Sequence, residues 1–137
     1  MGLLLTLHSI WRWVLLAAAC VVVVKALVGW LGRRPFTQLD SQLGLAYTIT
    51  VDIQVLLGLL LWLFGPLGLR TLSQSMGDAE LRFIVLEHPI LMLIGLALAH
   101  IGRTRSRKGE SPVAQHRAAF IFYGLSLVCI ALIFLLE

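Results

Sequence analysis

Four apolar runs divide this chain, each ~20 residues or longer, the length a helix needs to cross a bilayer. They cover residues 3–31, 43–64, 81–101 and 113–136. Short polar links join them. The pattern predicts an all-α polytopic membrane protein, an up-down bundle of four transmembrane helices in a single domain over residues 1–137. Composition agrees: 59% of the residues are hydrophobic and only 13% are charged, against ~25% charged in a soluble domain. The first run is long, carries Arg12 and has no basic region before it. It therefore reads as a membrane helix rather than a cleaved leader.

The punctuation between runs is readable. Gly32-Arg33-Arg34-Pro35 breaks the first helix, Asp40 or Ser41 is placed to cap the second, and Gly65-Pro66 ends it. Asp78 is placed to cap the third helix, and Ser111-Pro112 reads as cap and first residue of the fourth. Gly44, Gly58 and Gly65 suggest a flat packing face on the second helix. Cys20 and Cys129 lie inside apolar runs and read as small membrane-core residues.

The net charge of +4 is explained by topology, so no nucleic-acid partner is expected. Lys25, Arg33, Arg34, Arg103, Arg105, Arg107, Lys108 and Arg117 fall on one side, leaving Arg12, Arg70 and Arg82 elsewhere. By the positive-inside rule the Arg-rich loops should be cytoplasmic and both ends of the chain outside. In a Gram-negative bacterium that means an inner-membrane protein with periplasmic ends.

Against this background Glu87-His88-Pro89 stands out, one to two turns inside the third run. Ionisable groups at such depth are expensive and by default mark a site. Pro89 removes a backbone donor and should kink the helix near Val85. The first and third helices run in the same direction, and His8 and His88 both lie early in them. Two imidazoles at one level across a bundle diagonal can grip a haem iron from both faces. Arg12, one turn from His8, is placed to meet a haem propionate or Glu87. His88, Met92, Gly95, Ala99 and Gly102 recur at steps of three or four. That small-residue face would admit a neighbouring helix or a flat cofactor. The alternative is plainer: an interfacial His8, and a His88 bonded to a carbonyl or to Asp52.

His100 and His116, near the other membrane surface, form a possible second site. His88 and His100 are ~18 Å apart along a helix but turned by about 120°, and the first run has no second histidine to match. Arg12, Asp52 and Glu87 could form a buried charge network or, beside His88, a proton path. Gln54, Tyr47 and Tyr123 receive no role. There is no phosphate loop, no Cys-x-x-Cys, no covalent haem motif and no zinc-protease motif.

His8-Ser9-Ile10-Trp11-Arg12-Trp13, Asp52-Ile53-Gln54 and Glu87-His88-Pro89 with Met92 resemble a group of small four-helix bacterial membrane proteins labelled cytochrome-b-like or uncharacterised. The resemblance spans nearly the whole chain. It implies one haem b, with His8 and His88 as the matching ligands, in membrane electron transfer with a quinone or a partner redox protein. Diheme cytochrome b bundles carry two histidines on each of two helices, which this chain does not. Two alternatives stand beside this expectation. One is an accessory subunit of a larger membrane complex, motivated by the small size and short loops. The other is a proton or ion carrier, which four helices could form only as a homo-oligomer.

Overall fold

The computed structural model describes residues 2–136. Its four long helices are α1 (Gly2–Leu31), α2 (Gln38–Phe64), α3 (Ala79–Lys108) and α4 (Pro112–Leu136), each long and apolar enough to cross a membrane. No strand occurs among the described residues. The chain is an all-α four-helix bundle and a multi-pass membrane protein. Helices adjacent in sequence pack side by side, and α4 closes onto α1, so α1 and α3 face each other across a diagonal.

The helix boundaries follow from local chemistry. After Leu31 the chain turns through Arg33 in the left-handed region, φ 49°, and the Arg34 N–H donates to the Gly29 carbonyl at 3.0 Å. Helix α2 begins before the apolar run does. Thr37 is its N-cap, and the Asp40 carboxylate reaches back to accept from the Thr37 N–H at 2.8 Å and its hydroxyl at 3.0 Å. Asp40 is thus the third helical residue of a capping box rather than the cap itself. It also accepts from Lys25 of α1 at 2.6 Å, which ties the first two helices together.

Asp78 caps α3, accepting from the backbone N–H groups of Glu80 and Leu81. Ser111 caps α4, accepting from the Ala114 N–H at 3.1 Å. Two short helical turns, Leu69–Thr71 and Leu72–Ser75, bridge α2 and α3.

The bundle centre is pinned by a polar contact. Tyr47 of α2 is fully buried. Its hydroxyl lies 2.7 Å from Ser126 Oγ of α4, which donates onward to the Gly95 carbonyl of α3 at 2.9 Å. An unpaired hydroxyl among hydrocarbon would be costly, so this chain of donors fixes three helices in register. The Tyr123 ring meets Tyr47 edge-on, with centroids 5.4 Å apart.

The small-residue face of α3 is filled by α4. A Cβ on Gly95 would stand 3.5 Å from Cys129 Cβ, and one on Gly102 would stand 2.9 Å from Phe122 Cβ. Of the two occupants expected for this face, a neighbouring helix has it. Gly95 therefore leaves no room for a flat cofactor. Met92 belongs to the buried apolar cluster with Leu15, Ala19 and Val51.

Candidate functional site

Pro89 shapes the entry of α3. In an α-helix the N–H at position 89 would bond the Val85 carbonyl, and proline has none. The backbone answers with a π-helical turn over Phe83–Glu87, in which the His88 N–H reaches back five residues to the Phe83 carbonyl. Such turns hold one extra residue and recur at functional sites. The orphaned Val85 carbonyl accepts instead from the Trp62 indole of α2 at 2.7 Å. The kink expected near Val85 is thus a π turn with an indole as its substitute donor.

This turn delivers His88 to the bundle diagonal. The rings of His8 and His88 lie with centroids 6.2 Å apart and planes inclined by 34°. Phe83 meets His88 edge-on at 6.4 Å. On the opposite side, Gln54 Nε2 donates to the His8 carbonyl at 3.0 Å, and the Trp11 indole donates to the Thr50 carbonyl at 2.9 Å. Both bonds hold α1 against α2. Gln54 is nearly fully buried, and its Oε1 has no hydrogen-bond partner among the described residues. Gly58 makes room for the His8 ring, since a Cβ there would lie 3.2 Å from Cε1.

No group of three or more His, Cys, Asp or Glu is gathered for a metal ion among the described residues. Two imidazoles alone are what a haem iron asks of a protein, because the porphyrin supplies the other donors. The donor pair fits that group in identity, with ring centroids 6.2 Å apart.

Other groups assemble differently from expectation. Glu87 bonds Arg82 at 2.6 Å, with both side chains well exposed. Asp52 bonds His100 at 2.7 Å, at 47% and 51% exposure for Asp52 and His100. The Arg12 guanidinium lies against the rings of Trp13 and Phe134, at 5.4 and 5.3 Å. Arg12, Asp52 and Glu87 therefore form no common buried network, and Asp52 does not reach His88. Asp52 and Glu87 found nearer partners of opposite character.

The second histidine pair does not come together. His100 faces outward with Asp52, whereas His116 is buried against Phe36, with Nε2 3.3 Å from the Pro35 carbonyl. Gly29 accommodates its ring. His116 holds the loop between α1 and α2.

No family model, curated protein or solved structure matches this chain.

Trp62 and Gln54 were given no role from the sequence, and Gly58 was read only as part of a flat packing face. Only Trp62 had a signal. Pro89 implies an orphaned carbonyl at Val85, and an orphan inside a membrane demands a donor from another helix.

Proposed function

We propose that His8 and His88 hold one b-type haem between α1 and α3, and that the protein passes single electrons within the membrane to or from a quinone or a partner redox protein. The observation that carries this reading is the 6.2 Å spacing of two imidazoles from diagonal helices. When bound, the haem supplies reversible one-electron transfer, its potential tuned by ligands and surroundings.

The chain's own residues supply position and environment. Gln54 and Trp11 fix the backbone that carries His8. Trp62 secures the turn that carries His88. Exposed aliphatic flanks on every helix keep the site in hydrocarbon. By the charge distribution, the end of the bundle where α1 begins faces outward in an inner membrane, and the Arg-rich end faces the cytoplasm.

The test is a reduced-minus-oxidised absorption spectrum of the detergent-purified protein, with ferric protoporphyrin added where the purified protein is colourless. A b-type Soret and α band is expected, lost in both His8→Ala and His88→Ala while helical content by circular dichroism is kept. A wild-type protein that gives no such band after porphyrin addition overturns the reading.

A further inference from the structure

Gln54 stands one turn before Gly58 on α2, against the backbone of His8. Its residue is only 4% exposed. Nε2 donates to the His8 carbonyl at 3.0 Å. That bond fixes the two ends of the amide, because a carbonyl accepts only from the nitrogen end. Oε1 is then a buried acceptor with no hydrogen-bond partner among the described residues. In hydrocarbon such an atom is costly.

Anchoring α1 to α2 does not account for it. The His8 carbonyl already lies within helix α1, where the N–H four residues on bonds it. The Trp11 indole ties the same two helices at the Thr50 carbonyl, 2.9 Å away, and brings no spare acceptor with it. The Gln54 side chain therefore asks for a donor at Oε1.

The His8 ring is placed to supply one. A Cβ on Gly58 would lie 3.2 Å from His8 Cε1, 3.8 Å from Nδ1 and 4.0 Å from Nε2. The edge of the imidazole that carries both nitrogens thus faces α2. Positions 54 and 58 are neighbours on one face of that helix. A neutral imidazole that binds a metal through one nitrogen carries its proton on the other. Metal-bound imidazoles hand that N–H to a carboxylate, carbonyl or water, which fixes the ring and raises its basicity.

We propose, on the haem reading of the His8–His88 pair, that Gln54 is the positioning residue of the His8 ligand: its Oε1 accepts the ring N–H of His8 while the other ring nitrogen binds iron, and this lowers the reduction potential. One amide then holds His8 at two points, carbonyl and ring. His88 meets the edge of Phe83 instead. The two ligands are unequal, and His8 is the more electron-donating.

The experiment is redox potentiometry of the detergent-purified protein loaded with ferric protoporphyrin, with circular dichroism as the fold control. Gln54→Leu removes the acceptor. It should shift the ferrous-to-ferric ratio about tenfold, a rise of about 59 mV for one electron. Trp11→Phe removes the neighbouring bond between α1 and α2 but leaves the amide, and should keep the wild-type potential. Gln54→Glu keeps an acceptor oxygen and should stay at or below the wild-type potential. It serves where the leucine protein does not fold, and a potential above wild type in it overturns the proposal. A b-type band at unchanged potential in Gln54→Leu overturns the proposal and leaves the haem reading standing. Equal rises in Gln54→Leu and Trp11→Phe also overturn it, since both then trace to a loosened α1. A wild type without the band overturns both.

Discussion

The indole N–H of Trp62 on α2 occupies the hydrogen-bonding position at the Val85 carbonyl that Pro89 leaves empty on α3, at 2.7 Å. A side chain of one helix thus completes the backbone of another, one turn from the histidine pair. Trp62→Phe should cost about 1–2 kcal/mol of stability by stranding the carbonyl. Pro89→Ala restores the backbone donor, so the same Trp62→Phe change should cost markedly less in that background. Denaturant titration of the four proteins in detergent checks the coupling. Equal costs in both backgrounds would show that the indole bond contributes nothing.

Gly58 sets the position of the His8 ring. Gly58→Ala adds a Cβ 3.2 Å from Cε1, a contact that a small shift of the ring relieves, and should change stability by less than about 1.5 kcal/mol. Gly58→Leu should cost about 1–3 kcal/mol and drive His8 away from His88. Under the haem reading, porphyrin titration then shows the b-type band retained with alanine and lost with leucine.

At the opposite end, Gly29 and His116 are a matched pair. A Cβ on Gly29 would run into the imidazole, so Gly29→Ala should destabilise by about 1–3 kcal/mol. His116→Ala removes the obstacle together with the bond to the Pro35 carbonyl. The doubly substituted protein should therefore be more stable than the sum of the single effects predicts. Thermal melts of the set decide this, and strict additivity would refute it.

Asp40 joins a cap to an ion pair. Asp40→Ala should cost about 1–3 kcal/mol, because it strands the Thr37 N–H and leaves Lys25 without its carboxylate. Asp40→Asn keeps an oxygen for the cap but not the charge, and should fall between the two. Melting curves of the three proteins give the order, and equal stability of the asparagine and alanine proteins would show that the cap contributes little.

Much of the fold was legible because a membrane imposes one rule everywhere. Long apolar runs become helices, and Asp78, Ser111-Pro112 and Gly65-Pro66 mark their ends in local sequence. The diagonal meeting of His8 and His88 followed from helix order and depth alone. What failed was partner choice among charged groups. Depth along a helix can be counted, but azimuth relative to a neighbour depends on packing. Asp52 shares a level with several groups and turns outward to His100, while Glu87 finds Arg82 five residues before it. The α3 glycines were ambiguous for the same reason, since a small-residue face fits a flat ligand and the ridge of α4 equally well.

The π turn over residues 83–87 also makes α3 adjustable in length at one place. One residue advances a helix by about 100°, so the surplus residue offsets the phase of everything before it. Deleting a residue there would close the turn to ordinary α-helix and leave residues 88–108 against their neighbours. Arg82 and Phe83 would swing around the helix, and Phe83 would leave the edge of His88. A deletion farther along, between His88 and Gly102, would instead rotate the imidazole away from His8 while α4 held the glycines, so length variation in this helix is best tolerated in that single turn.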